Sequence, residues 1–412
     1  MRFNFIHAAD LHIDSPFAGL GVKDPGVASR FAEAGRKAVE KLISEAIDGK
    51  AAFMIIAGDI FDGDWKDVTT GLFFVRALGQ LHRAGIPAFL IKGNHDAESV
   101  MSRGLSYPES VQTFDSRKAE TFTLDDFRVA LHGRSFGGRK VADDFVQSYP
   151  VRREGWLNIG VLHTALDGTR GHATYAPCTT DELQRFGYDY WALGHIHKAE
   201  IVARNPWIVF PGNLQGRSVR ETGPKGAMRV TVEDGRIVTV EPLVLDAARW
   251  VHDKIDIAGC EDEDAVLGLI RTRFDTIHDD NDGRPLAIRL TLQGETDQHH
   301  HLVARQEVLE DEARALAFQV AEDCWVEQVK VATTAPAHLG RLAVAADTLD
   351  LEALLAASAG DPFFAEVVSD LVASIREKLP HALRDELVDG KDNAKRDLTE
   401  AAQDYLLGNL RL

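Results

Sequence analysis

Residues 53–62 read Phe-Met-Ile-Ile-Ala-Gly-Asp-Ile-Phe-Asp, an apolar run that closes on a glycine and two acids. Such a run is typical of a strand that is buried on both faces of a sheet. In open α/β sheets, ligands bind just beyond the carboxyl ends of the strands, so Asp59 and Asp62 would lie where a metal or a phosphate binds. The stretch therefore predicts an α/β fold with a polar site at one sheet edge.

Four further polar motifs follow apolar runs in the first half of the chain. They are Asp10-Leu11-His12, Gly93-Asn94-His95-Asp96, the lone His163 and Gly194-His195-Ile196-His197. Each motif alone also occurs by chance at strand ends and on surfaces, but the succession of all of them along the chain favours a metal site. With Asp59 they supply carboxylates, an amide and imidazoles, a mixed set suited to paired Mn²⁺, Fe²⁺ or Zn²⁺. Asp59 is the natural candidate to bridge two ions.

The pattern of apolar residues predicts three regions. The first, residues 1–245, begins with the order β-α-β-α-β, with strands at 3–9, 53–57 and 87–91, and continues with short strands. A fresh β-α-β-α-β pattern over 250–334 predicts a small α+β cap domain. Its His299-His300-His301 is interpreted as a solvated loop. Residues 333–337 resemble a linker, and the acidic residues 338–412 carry apolar stripes that predict a helical tail.

The composition is that of a globular protein of 412 residues, long enough for two or three domains. No run approaches the roughly 20 apolar residues that span a bilayer, and the N-terminus lacks the features of a signal peptide. Three scattered cysteines predict neither disulfides nor a zinc–thiolate site, which favours a cytoplasmic location. The net charge of −18 argues against general nucleic-acid affinity but does not exclude a local basic groove.

The order of the motifs resembles that of the calcineurin-like metallophosphoesterases, and the match covers about residues 5–200. This resemblance implies a four-layer β-sandwich that is flanked by helices. It also implies two bound divalent metal ions, with Mn²⁺ as the first choice. His95 would touch the scissile phosphate as a catalytic group, and Asp62 would orient His95. The implied ligands are Asp10, His12, Asp59 and His197 for one metal, and Asp59, Asn94, His163 and His195 for the other.

Within that superfamily the chain is similar to the SbcD-type DNA repair exonucleases, and particularly to their YhaO-like branch. The similarity lies in residues 7–17, His-Ala-Ala-Asp-Leu-His-Ile-Asp-Ser-Pro-Phe, and in residues 211–226, which begin Pro-Gly-Asn-Leu-Gln-Gly-Arg-Ser. It implies a DNA exonuclease, perhaps also an endonuclease, in which a metal-activated hydroxide attacks the phosphodiester. It also implies a coiled-coil ATPase partner of the SbcC/SMC type, docked on the C-terminal helices. Ser218 departs from the His expected in close relatives.

Other interpretations stay open. A metallophosphoesterase for nucleotides or other small phosphoesters suits the acidic net charge, whereas the cap and the tail favour a polymer substrate and a partner. A non-catalytic scaffold of the same fold is the second alternative, although scaffolds commonly lose ligands. A homodimer is open as well, and no membrane association is expected. The candidates for a basic phosphate groove, each better explained singly by a solvated face, are Arg134, Arg139, Lys140, Arg217, Arg220 and Lys225.

Overall fold

The computed structural model of the protein describes residues 1–15, 25–62, 68–97, 105–138, 144–167 and 176–336, and five helical positions between 363 and 374. The chain divides into two compact units. The first comprises Met1–Val251 with Gly283–Ala287, and the second comprises His252–Asp282 with the residues from Ile288 onward. The predicted helical region 338–412 lies outside the described residues apart from those five positions, so it stays a prediction.

Strands predominate in the first unit, as expected, and three helices accompany them in its described part. In chain order the elements are β1 (Arg2–Ala8), α1 (Pro25–Asp48), β2 (Met54–Ala57), α2 (Thr69–Arg83), β3 (Ala88–Ile91), β4 (Val111–Thr113), β5 (Glu120–Leu124), β6 (Val129–Gly133), β7 (Leu157–His163), α3 (Thr180–Phe186), β8 (Tyr190–Gly194), β9 (Glu200–Arg204), β10 (Trp207–Phe210), β11 (Gly226–Glu233) and β12 (Arg236–Val244).

These strands form two six-stranded mixed sheets, in the orders β12–β11–β1–β2–β3–β4 and β5–β6–β7–β8–β10–β9. The four strands from β1 to β4 are parallel, as are β6, β7, β8 and β10. Antiparallel strands complete one edge of the first sheet and both edges of the second. The parallel centres bring successive carboxyl strand ends to a common sheet edge, where the predicted polar motifs follow.

Successive side chains of the buried strands point to opposite faces of the sheet and so contribute to two different hydrophobic cores. Ile55 of β2 belongs to a core shared by both sheets, whereas Ile56 belongs to the core between the first sheet and helices α1 and α2. In the shared core, Phe5 stacks on Phe53 at 4.7 Å and meets Tyr190 edge-on at 5.6 Å. Helix α3 packs on the outer face of the second sheet. This helix–sheet–sheet–helix order confirms the predicted four-layer α/β sandwich.

The remaining described elements are β13 (Arg249–Asp256), α4 (Glu263–Asp279), β14 (Leu286–Glu295), α5 (His299–Ala304), α6 (Gln306–Val320) and β15 (Cys324–Thr334). The three strands form a sheet in the order β13–β14–β15. Helix α4 buries Val266, Ile270 and Phe274 at helical spacing. The alternation of strands and helices predicted for residues 250–334 is therefore present, and the expected linker begins within β15.

The interpretation of His299-His300-His301 as a solvated loop was wrong. These residues begin α5, and both His299 and His300 are buried. His299 Nδ1 lies 2.8 Å from the Thr333 hydroxyl, and His301 Nε2 lies 3.0 Å from a carboxylate oxygen of Glu263. Hydrogen bonds to distant parts of the chain make the burial of these polar rings tolerable.

No helix in the described ranges is long and apolar enough to cross a bilayer.

His7 joins the two sheets of the first unit through polar contacts inside the shared core. Its Nε2 lies 3.1 Å from the carbonyl oxygen of Leu193, and its Nδ1 lies 2.9 Å from the Tyr190 hydroxyl. A carbonyl only accepts, so Nε2 carries the proton and Nδ1 accepts from the tyrosine. Burial lowers the pKa of His7 to about 3, although the bond to Leu193 opposes the shift.

We predict that acidification destabilises the first unit through His7. The unfolded ring binds a proton near pH 6.5, whereas the folded ring stays neutral to about pH 3, so the unfolding free energy decreases as the pH falls below 6.5. Between pH 7.5 and pH 5.5 this amounts to about 1.4 kcal/mol. Urea unfolding of His7→Gln should show a pH-dependent loss smaller by that amount. Equal losses in the two proteins would contradict the prediction.

Candidate metal centre

The ends of five strands deliver the predicted side chains to one edge of the sandwich. The loops after β1 and β2 run side by side, since Asp10 N donates to Gly58 O at 3.0 Å and His12 N donates to Asp59 O at 3.1 Å. The remaining residues end or follow their strands, namely Asn94 and His95 after β3, His163 at the end of β7, and His195 and His197 after β8.

Four of these residues have a left-handed backbone. The φ angles are 51° at Asp10, 42° at His12, 50° at Asp59 and 100° at His195. This region is unfavourable for residues other than glycine, and such strain persists where the surrounding hydrogen bonds maintain it. Backbone bonds do so here, including that from His195 N to Asp10 Oδ2 at 2.9 Å. The sharp turns let side chains of successive loops converge.

Two glycines allow the strand ends to approach closely. A Cβ atom at Gly93 would lie 2.2 Å from Asp59 Oδ1, and one at Gly194 would lie 1.9 Å from the carbonyl oxygen of Ala57. Both positions therefore exclude any side chain. The glycines of Gly-Asn-His and Gly-His-x-His are explained by contact with the end of β2 and the turn that follows it.

The first ligand group contains Asp10, His12 and His197, whose ligand atoms lie within 4.8 Å of one another. His197 Nδ1 is 2.7 Å from Glu221 Oε1 and donates to that carboxylate, which leaves Nε2 with its lone pair. This Nε2 lies 3.2 Å from His12 Nε2 and 3.9 Å from Asp10 Oδ1. Two imidazole nitrogens and a buried carboxylate that face one another fit a shared cation.

The second ligand group contains Asp59, His163 and His195, also within 4.8 Å, with Asn94 beside them. His163 Nδ1 donates to the carbonyl oxygen of Ala57 at 2.9 Å. Its Nε2 faces two acceptors, Asn94 Oδ1 at 3.0 Å and Asp59 Oδ2 at 3.3 Å. Burial lowers the pKa of His163, but the charge and hydrogen bond of Asp59, the charge of Asp10 and the bond to the Ala57 carbonyl together outweigh it and raise the pKa to about 9. Positive charge is thus strongly favoured at this point.

The two buried carboxyl groups respond differently to their surroundings. Burial raises the pKa of Asp59, yet the charge and hydrogen bond of His163, together with His12, hold that pKa well below its usual range. Burial also raises the pKa of Asp10, to about 6, against the charges of His163 and His197. Buried carboxylates need counter-charge. The residues present therefore fit divalent cations, and the assignment of each as a ligand stays a prediction.

His95 and Asp62 form a pair beside these groups, and their catalytic roles stay a prediction. His95 Nδ1 lies 2.8 Å from Asp62 Oδ1, and the rings of His95 and His12 are 5.2 Å apart. The hydrogen bond to Asp62 raises the pKa of His95, although burial opposes it. The same bond lowers the pKa of Asp62, whose other oxygen accepts from the Ser15 hydroxyl at 2.6 Å. His95 Nε2 is left as the nitrogen available to a substrate.

Sequence reasoning gave no role to two acids that support the centre. Glu221 fixes the tautomer of His197, yet no local spacing connects residues 24 positions apart.

Asp96 accepts hydrogen bonds from the backbone N–H groups of Ile60, Phe61 and Gly93 at 3.1, 2.9 and 3.1 Å. Burial raises its pKa to about 6. Asp96 therefore fastens the loops after β2 and β3 together.

The predicted basic groove is only partly described, because Arg139 and Lys140 lie outside the described residues. Arg134 stacks on Phe145 at 4.1 Å, and Lys225 Nζ donates to the carbonyl oxygen of His197 at 3.0 Å. Arg220 is exposed and precedes Glu221 in the chain. The half-buried Arg217 forms ion pairs with Asp62 and Glu221 in the candidate metal centre.

Comparison with known proteins agrees with this fold. Residues 3–199 match the calcineurin-like phosphoesterase family. The chain belongs to the calcineurin-like metallophosphoesterases. More particularly, it is a YhaO-like homologue: it is 33% identical over 323 residues to the uncharacterized metallophosphoesterase YhaO of Bacillus subtilis (strain 168), covering 77% of this chain and 78% of that protein. Residues 250–334 match the middle domain of metallophosphoesterase YhaO.

Two solved structures are similar to part of the chain at 12% identity and a TM-score of 0.33. One is GAP50, the anchor in the inner membrane complex of Plasmodium, with 60% of this chain and 89% of that chain covered. The other is a dimetal phosphatase from Danio rerio, with 59% and 98% covered.

We predict that Gly93→Ala prevents normal metal binding. The new Cβ would collide with the Asp59 side chain and move a predicted ligand shared by both metals. Titration calorimetry of metal-free protein with Mn²⁺ should show at least one site lost or weakened about 10-fold or more. Gly35→Ala in α1 is the matched control, because apart from the adjoining helix backbone no atom lies within 4 Å of its Cβ position. Wild-type Mn²⁺ affinity in Gly93→Ala would contradict the prediction.

Proposed function

We propose that the protein is a dinuclear-metal phosphodiesterase that acts on DNA as an exonuclease, with endonucleolytic cleavage as a second mode. One observation carries the proposal. Two ligand groups and the His95–Asp62 pair converge at one edge of the sandwich, so candidate cation-binding side chains and a proton donor lie side by side. This combination suits hydrolysis of a phosphate ester.

The proposed division of roles follows the two ligand groups. Asp10, His12, Asp59 and His197 would hold one cation, and Asp59, Asn94, His163 and His195 the other. Divalent cations bound there supply Lewis acidity toward the phosphate and lower the pKa of water. Mn²⁺ is our first choice for this mixed oxygen and nitrogen set, ahead of Fe²⁺ or Zn²⁺.

His95 supplies the proton in this proposal. Asp62 accepts from Nδ1 and favours the imidazolium, so Nε2 can donate to the leaving oxygen or stabilise its developing charge. Asp62 also orients the ring, because its second oxygen is itself held by Ser15.

DNA is proposed as the substrate because residues 7–17 and 211–226 are similar to the SbcD-type DNA repair exonucleases. The additional residues 250–334 and the predicted helical tail also favour a polymer and a partner. The second candidate is a metallophosphoesterase for nucleotides or other small phosphoesters, which the net charge of −18 favours.

The same similarity supports a partner. We propose that residues 338–412 bind a coiled-coil ATPase of the SbcC/SMC type in the cytoplasm, since this chain has no Gly-x-x-x-x-Gly-Lys-Ser/Thr motif of its own. Co-elution of the purified chain with such an ATPase should be lost when residues 338–412 are removed. Undiminished co-elution would refute the assigned docking region.

The decisive experiment is Mn²⁺-dependent digestion of linear double-stranded DNA. His95→Ala should reduce the rate by about 10²- to 10⁴-fold while its metal content stays at the wild-type level, because a proton donor is lost. His82→Ala is the matched control, since that histidine is exposed on α2.

The outcomes separate the candidates. Hydrolysis of bis(p-nitrophenyl) phosphate without any digestion of DNA at several salt concentrations would support the small-phosphoester candidate. Absence of both activities, with negligible metal content in protein purified without chelator, would indicate a scaffold.

A further inference from the structure

We propose that Arg217 is a positioning residue that joins the carboxylate behind His95 to the carboxylate behind His197. One guanidinium would then hold the proton-donating side and the metal-binding side of the centre in a fixed relation. This inference deepens the proposed function and rests on it for the role of His95.

The guanidinium of Arg217 spans two acids from separate loops. Nη1 lies 3.5 Å from Asp62 Oδ2, and Nη2 lies 3.3 Å from Glu221 Oε1. The backbone N–H of Arg217 also donates to Glu221 Oε2 at 2.8 Å. The side chains of all three residues are largely buried, with exposed fractions of 21%, 25% and 13% for Arg217, Asp62 and Glu221. Limited solvent screening makes such contacts stronger than those of surface pairs.

A histidine stands on the far side of each carboxylate. Asp62 Oδ1 is 2.8 Å from His95 Nδ1, and Glu221 Oε1 is 2.7 Å from His197 Nδ1. The continuous series is therefore His95, Asp62, Arg217, Glu221 and His197. A planar fork with several N–H groups can engage both acids at once, which the single ammonium of a lysine cannot do with the same geometry.

The donors around Glu221 explain why the series fixes His197. Arg217 Nη2 also lies 3.3 Å from His197 Nδ1, but both nitrogens donate, so each directs its proton to the glutamate. Asn213 Nδ2 donates to the other oxygen at 2.9 Å. Surrounded by donors, Glu221 stays an acceptor, and His197 keeps the tautomer in which Nε2 faces His12.

A rival role for Arg217 is direct binding of a substrate phosphate. In the first role Arg217 would contact the substrate directly, and in the second it would act through Asp62 and Glu221. A phosphate contact affects KM whatever the state of Asp62 and Glu221. A positioning residue affects kcat through Asp62 and metal affinity through Glu221, so its effects vanish once those acids are neutralised.

The experiment introduces Arg217→Gln into three backgrounds, namely wild type, Asp62→Asn and Glu221→Gln. Metal-free proteins are titrated with Mn²⁺ by calorimetry, and kcat and KM are measured at saturating Mn²⁺ on linear DNA and on bis(p-nitrophenyl) phosphate. Arg229→Gln is the matched control, because it removes a half-buried ion pair to Glu45 at 2.7 Å outside the series.

We expect Arg217→Gln to weaken one Mn²⁺ site about 10-fold in wild type and to add no further loss in Glu221→Gln. In wild type it should lower kcat about 10- to 100-fold with KM unchanged, and it should have no effect on kcat in Asp62→Asn. Arg229→Gln should change neither quantity.

Three results would overturn the proposal: a raised KM that persists in both backgrounds, additive losses throughout, or unchanged Mn²⁺ affinity. Arg217→Lys provides the second test if the glutamine variant does not fold. Wild-type kcat and Mn²⁺ affinity in the lysine variant would also overturn the proposal, because charge alone would then suffice. The calorimetric comparison needs no substrate. If the protein cleaves neither diester, the proposed function fails, while the link from Arg217 to His197 is still decided.

Discussion

Backbone contact between neighbouring strand ends is the constraint on which the rest of the centre depends. The end of β2 and the turn that follows it touch the end of β8 at Gly194 and the chain after β3 at Gly93, with no room for a Cβ atom at either glycine. The second contact joins the two sheets of the sandwich. Because the backbones meet there, short side chains such as Asp59 and Asn94 can reach His163. Local chain geometry, rather than long flexible side chains, sets the spacing of the candidate ligands.

The electrostatics follow from that spacing. Close backbones bring carboxylate oxygens, an amide oxygen and imidazole lone pairs together in a buried place, and these groups oppose one another unless positive charge lies among them. The pKa values of the two neighbours reflect this need for positive charge. The pKa of His163 is raised to about 9, and that of Asp59 is strongly lowered. Strained turns at Asp10, His12 and His195 persist in the same place. The centre thus combines backbone strain with a need for cations, which suits a family of metal-dependent phosphoesterases.

Much of this arrangement could be predicted from the sequence, and the omissions have physical reasons. Long apolar runs such as residues 53–57 identify central strands, and the polar motifs that close them identify the sheet edge. The short elements β4, β9 and α3 were not predicted, because three to seven residues carry little periodicity of their own. Glu221 was missed for a different reason, since its contact with His197 depends on the fold rather than on spacing. The prediction of a solvated loop at 299–301 was wrong because hydrogen-bond partners distant in the sequence permit burial of these histidines.

Asp96 has a consequence for how cations would be acquired. Its carboxylate accepts from three backbone N–H groups, and so the loops after β2 and β3 form one interlocked piece. Little conformational entropy then remains to be lost when an ion binds to Asp59 or Asn94. A preorganised cage of this kind discriminates among ions by their radius and preferred coordination geometry. The exchange kinetics of such a cage would be set by desolvation of the incoming ion.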